Sequence, residues 1–264
     1  MRLMTIASGS SGNCTYVGTD DTHILIDAGV SKKRIVEGLT RLGIGLSDLS
    51  GIFITHEHSD HIAGLRVLTK NTEIPIFASR GTIDGIVSSK GGNEIDKALL
   101  NVIKGNQCIL NDVVVDAFAI SHDANEPSAY TVSSRGKKAA VVTDLGEYNR
   151  DIAVRISDVN ALVLEANHDK NMLLVGPYPY YLKQRILGKR GHLSNEDSGR
   201  LLASILHNKL LSVQLGHLSR ENNYAELAYQ TVINEIDLAQ NGFKSKDFNI
   251  SVAKREDPSD IIEF

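Results

Sequence analysis

Tryptophan is absent from this sequence, and aromatic residues make up only 5% of it. The core must therefore be assembled from Ile, Leu, Val and Ala, which suits strands buried between helices. Cysteine is scarce as well: Cys14 and Cys108 stand far apart, with no CxxC partner. That excludes a disulfide framework and a structural zinc knuckle, and points to a reducing compartment. No apolar run nears the roughly 20 residues that a membrane helix needs. The opening segment is interrupted by Gly9 and Ser10 too early for a secretory signal, so a soluble cytoplasmic protein is expected. An excess of positive charge is missing too. With 28 Lys and Arg against 32 Asp and Glu, the net charge is -4. Any nucleic-acid role therefore has to rest on a local patch.

Linkers rich in Pro and Ser, low-complexity tracts and repeats of 20–50 residues are also lacking. The 264 residues, 42% hydrophobic and 23% charged, are read as one α/β domain spanning 1–264. Short apolar runs predict strands at 22–27, 51–55, 113–120, 138–143, 160–164 and 210–215. Helical spacing follows Ser31, over Lys32–Leu42 with Gly43 at its end. A capping-box pattern at Ser194–Asp197 opens a second helix toward His207, and Asn222–Gln240 predicts the longest one.

Nine histidines stand out against this background, several of them at the ends of predicted strands. The densest cluster is Thr55-His56-Glu57-His58-Ser59-Asp60-His61, between the strand at 51–55 and the apolar pattern at 62–68. Three imidazoles and a carboxylate at a strand-to-helix corner can face one cavity, and such ligands suit zinc, manganese or iron. One motif cannot fill two metal shells, so further ligands are sought at other strand ends. His122, Asp144 and His217 each follow a predicted strand. Read alone, each is equally a capping or loop residue.

Taken in order, Asp27, the HxHxDH motif, His122, Asp144 and His217 resemble the five motifs of the metallo-β-lactamase superfamily. That resemblance implies a four-layer αββα sandwich and two divalent metal ions, zinc or manganese, with iron a third option. It implies that His56, His58 and His122 bind one metal, that Asp60, His61 and His217 bind the other, and that Asp144 bridges them. Asp27 would sit behind the ligands and hold the motif loop. Two such cations lower the pKa of a shared water to give hydroxide near neutral pH, and offset charge on a phosphate under attack.

Later segments narrow the substrate. Glu165 and Gly191-His192 are similar to the glutamate–histidine pair of the superfamily's tRNA-processing nucleases, which implies that Glu165 orients His192 as general acid, with Asp60 the third catalytic residue. The alternative is that Glu165 pairs with a loop amide and His192 merely precedes a helix. Ala7–Asn13, Asp27-Ala28-Gly29, Glu165–Asp169, Gly176–Pro179, Gly191–Asn195 and Leu218–Asn223 resemble the bacterial YycJ/WalJ (VicX) subgroup. This implies a 5′-to-3′ DNA exonuclease with a role in DNA repair, lacking the β-CASP insertion of larger nucleases. Residues 178–190 mix three tyrosines with four cations. Tyr178, Lys183, Arg185 and Arg190, with His168, are therefore candidate contacts to a DNA substrate. The same segment also reads as an amphipathic helix burying Leu182, Ile186 and Leu187. The Ser/Gly run at 8–13 is either a tight turn or a set of backbone N–H groups near phosphate. Two rival functions are a thioesterase of the glyoxalase II type and a non-catalytic regulatory partner in cell-wall signalling. Neither a protein partner nor an oligomeric state is indicated.

Overall fold

The computed structural model describes residues 1–264 and orders the strands into two sheets. The first holds β1 (Arg2–Ala7), β2 (Cys14–Gly18), β3 (His23–Ile26), β4 (Leu49–Phe53), β5 (Ile76–Ala78) and β6 (Leu100–Val102). The second holds β7 (Gln107–Leu110), β8 (Val113–Ala119), β9 (Ser128–Ser134), β10 (Lys137–Val142), β11 (Ala161–Glu165), β12 (Ser212–Gly216) and β13 (Asn249–Val252). A short final strand, β14 (Ile262–Glu263), pairs with β1. Each sheet starts as an antiparallel meander and continues with parallel strands, which run β3 to β6 in the first and β10 to β13 in the second.

Alternation along the strands makes the layers. In β11, Ala161 and Val163 enter a core that also takes Ile24 and Ile26 of β3, so this core lies between the sheets. Leu162 and Leu164 enter a second core with residues of helices α5 (Arg150–Ile156), α8 (Asn195–Ile205) and α9 (Ala225–Leu238). The other outer layer takes Leu25 of β3 and Ile52 of β4, packed under α1 (Lys32–Arg41), α3 (Leu65–Thr69) and α4 (Arg80–Ser88). The remaining helices are α2 (Ser59–Ile62), α6 (Lys170–Val175) and α7 (Tyr180–Leu187). The result is the expected αββα sandwich. Each Leu or Ile buried this way contributes about 1.5–3 kcal/mol.

Two expected helices differ from the structure, one in extent and one in burial. The helix expected from Asn222 begins at Ala225, because the amides of Asn195 and Asn223 bond each other and Asn223 Nδ2 donates to the Ala166 and Asn167 carbonyls. These bonds hold residue 223 in a buried loop. Helix α7 buries no residue fully, contrary to the amphipathic reading: Leu182 and Ile186 line a cavity, and Leu187 is exposed. No helix is long and apolar enough to cross a membrane, and both cysteines are free thiols.

Candidate metal centre

The site lies where strands end. Asp27 follows β3, residues 56–61 lie beyond β4, His122 follows β8, Asp144 follows β10, Glu165 closes β11 and His217 follows β12. Carboxyl ends of parallel strands open onto a shared crevice, so residues far apart in sequence meet there. Three of these residues, Asp27, Asp144 and His217, adopt left-handed backbone with φ of 63°, 57° and 55°. Such conformations cost on the order of 1–3 kcal/mol each and persist where the surroundings enforce them. Here the turn aims each side chain back over the strand ends.

Six of the nine histidines form one connected group, His56, His58, His61, His122, His192 and His217, with ring centroids 4.1–6.0 Å apart. Their tautomers follow from their other nitrogens. The Nδ1 of His61 donates to Asp27 at 2.7 Å, that of His217 to Glu165 at 2.7 Å, and that of His122 to the Gly191 carbonyl at 3.1 Å. Each therefore offers Nε2 to the centre. Asp27 also accepts from the Thr55 backbone N–H at 2.9 Å and from its hydroxyl, so one carboxylate holds both ends of the motif loop. The loop's close approach requires Gly29. A Cβ there would lie 1.7 Å from the Asp60 carbonyl oxygen, the same oxygen that accepts from Asn13 N–H at 2.8 Å.

The donor atoms gather as a metal shell would need. Those of His56, His58 and His122 lie within 4.8 Å of one another, as do those of Asp60, His61 and His217, and those of His56, His61 and Asp144. His56 Nε2, His217 Nε2 and Asp144 Oδ2 are buried without a hydrogen-bond partner. An orphaned buried polar atom costs about 1–3 kcal/mol, and these three, spread over the overlapping donor groups, fit divalent cations as the missing partner. The electrostatics agree. Burial drives the His56 pKa well below its ordinary value. Burial opposes the charge on His61 too, but Asp27 and Asp144 outweigh it and raise that pKa. His217 likewise rises to about 10 against burial, through Asp144, Asp60 and Glu165. Despite burial, Asp60 and Asp144 are held far below the carboxylate range by His217 and His61.

Glu165 is fully buried. One of its oxygens, Oε1, accepts from both His217 Nδ1 at 2.7 Å and His192 Nδ1 at 2.9 Å. The other, Oε2, accepts from the backbone N–H groups of Leu145 and Leu193 at 2.7 and 3.2 Å. Four donors, His192 and His217 chief among them, bring its pKa down to about 2 against burial. Beside the cluster opens a cavity of about 240 Å³ lined by His58, Asp60, His122, Asp144, His192 and His217, and by Ser10, Asn167, Tyr178, Leu182, Arg185, Ile186 and Ser219.

Of the expected substrate contacts, Tyr178 and Arg185 line this cavity, and Lys183, Arg190 and His168 do not. Lys183 Nζ donates to the Leu174 carbonyl, and Arg190 donates to the carbonyls of His122 and Ala124, bracing the His122 loop. His168 is buried, and burial brings its pKa down to about 4. Asn13, whose amide lies 3.0 Å from His61 Nε2, Asp123, which binds Arg185 Nε at 2.5 Å, and the lining residues Asn167 and Ser219 were not expected. Asn13, Asn167 and Ser219 fall in segments that resemble the YycJ/WalJ subgroup, but as single polar loop residues they carry no spacing pattern that marks a role, and Asp123 lies outside those segments.

A family described as a beta-lactamase superfamily domain matches residues 22–213. The chain belongs to the beta-lactamase superfamily. The exodeoxyribonuclease YycJ of Bacillus anthracis is 38% identical to it over 88% of both chains. The exodeoxyribonuclease WalJ of Streptococcus pneumoniae is 37% identical over 90% of this chain and 88% of its own. Among solved structures, zinc-bound PqqB of Methylobacterium extorquens matches all of both chains with a TM-score of 0.70 and 14% identity. The short form of human tRNase Z does so with a TM-score of 0.66 and 15% identity. These two likenesses carry the fold. Superfamily membership together with the histidine–aspartate cluster makes this chain a hydrolase that uses divalent metal.

Proposed function

We propose that this chain is a 5′-to-3′ DNA exonuclease acting in DNA repair through two divalent metal ions, zinc or manganese. One observation carries the phosphodiesterase reading: the buried Glu165 carboxylate ties His192 to His217 at the edge of an open, polar cavity. The similarity to two exodeoxyribonucleases over nearly the whole chain supports DNA as the substrate. His56, His58 and His122 would hold one ion and Asp60, His61 and His217 the other, with Asp144 between them. Bound there, the ions would lower the pKa of a water and offset charge on the nonbridging phosphate oxygens.

The protein's own groups supply the rest. His192 donates Nδ1–H to Glu165, which fixes the ring and leaves Nε2 to protonate the leaving oxygen. Arg185, tied through Nε to Asp123, keeps its two terminal nitrogens for a phosphate. Leu182, Ile186 and Tyr178 give the cavity an apolar wall on which a sugar or base rests. The cavity is open, as a polymer end requires. The test is duplex DNA labelled at either the 5′ or the 3′ end, with manganese or zinc, and a thioester assay beside it. Early release of the 5′ label as mononucleotide is expected; thioester turnover without nucleotide release would overturn the proposal.

A further inference from the structure

Arg255 is seated between two loops that both reach the cavity. Its Nη2 donates to the Leu218 carbonyl at 2.7 Å, one residue before the lining Ser219. Its Nη1 lies 2.7 Å from where a Cβ on Gly9 would stand, one residue before the lining Ser10. Gly9 leaves that space open with φ of 146°, a conformation that side chains rarely adopt. The backbone is fixed as well, since Arg34 donates to the Arg255 carbonyl at 3.2 Å. Arg185 at the same cavity is paired with an acid, but neither Arg255 nor Arg220 has a carboxylate within 4.0 Å. Burial and the nearby Arg220 lower the Arg255 pKa, with Glu256 offsetting only part of the effect. Arg255, partly buried between two loops that supply cavity-lining residues, has no carboxylate in contact with its guanidinium, and Arg220 directly follows the lining Ser219.

We propose that Arg255 and Arg220, with the Ser10 end of the 8–13 loop, form a phosphate subsite that holds a DNA phosphate adjacent to the one being cut. The subsite rests on the nuclease reading and adds to it a register for the strand: one phosphate at the metal cluster and a second at the arginine pair. Its ligand is a phosphate, either the 5′-terminal group or the next backbone phosphate.

The test uses the full chain loaded with manganese and single-stranded oligonucleotides made with phosphorothioate linkages to resist cutting. These carry a 3′ fluorophore and either a 5′-phosphate or a 5′-hydroxyl, and anisotropy is followed across a salt series. Arg255→Ala and Arg220→Ala are each expected to weaken binding about ten-fold and to flatten the log–log salt slope by about 0.7, as for one lost phosphate contact. On unmodified DNA, KM rises while kcat holds. Arg220 is exposed, so its variant keeps the test valid if Arg255→Ala loosens the loops. A loss confined to the 5′-phosphorylated strand assigns the terminal phosphate, and an equal loss on both strands assigns an internal one. Wild-type affinity and slope in both variants would overturn the subsite while leaving the nuclease reading intact; a wild type that neither binds nor cuts DNA would overturn both.

Discussion

Glu165 serves two histidines through one oxygen, and that sharing separates the effects of neighbouring substitutions. His192→Ala should lower kcat by roughly 10²–10⁴-fold, the usual contribution of a positioned acid, with metal content unchanged. Glu165→Gln should lower both, because the amide N–H₂ then faces either two imidazole donors or the Leu145 and Leu193 N–H groups. Elemental analysis beside steady-state kinetics reads the two apart; unaltered metal content in Glu165→Gln contradicts the shared role. Asp27→Asn, which weakens the hold on His61 and Thr55, should cost about 10–100-fold in metal affinity by competition with a chelating dye. At this scale the sequence was most legible where residue types repeat at short spacing, as in His56–His61. The Glu165–His217 contact left no such mark, since the partners are 52 positions apart and meet only through the parallel pairing of β11 with β12. Asn13 and Asp123 meet His61 and Arg185 across 48 and 62 positions and carry no spacing mark either.

Elements were read well where a local rule determines them. Ser31 caps α1 and Ser194 caps α8, each hydroxyl accepting from the N–H three residues on. Buried strands gave clear apolar runs. Helix α7 was harder, because a helix that lines a cavity and one that packs on a core share the same apolar spacing; tertiary position decides, and here Leu182 and Ile186 face the cavity. Asp112 makes a prediction at this level. It accepts from Thr22 at 2.6 Å and Thr19 at 2.9 Å after β2, and from Ser134 at 3.3 Å at the end of β9, so it links the two sheets. The Thr22 hydrogen bond above all holds its pKa below the ordinary value. A depressed folded-state pKa stabilises above the unfolded value of about 4 and is lost as pH falls through the folded one. Asp112→Asn should therefore lower Tm at pH 7, and the gap from wild type should close in acid. A gap that persists unchanged at low pH contradicts the link.

Across the whole molecule, the two sheets repeat one plan, an antiparallel meander followed by parallel strands, although no internal repeat was visible in the sequence. The candidate metal-binding residues differ between the halves, while apolar alternation recurs in both. The site joins both halves, with Asp27 and residues 56–61 from the first sheet and His122, Asp144 and His217 from the second. Metal should therefore stabilise the whole sandwich. At a free concentration of 100 times Kd, one bound ion adds about 2.7 kcal/mol, so chelation should lower Tm, and Asp144→Asn should blunt that response.

The most direct test of a metal-dependent nuclease centred on these residues is nucleotide release from end-labelled duplex DNA in manganese. Wild type is compared with His58→Ala and Asp60→Ala under identical loading. Mononucleotide release by the wild type, lost in both variants and on chelation, is the predicted result. Release that continues undiminished in both variants contradicts the account.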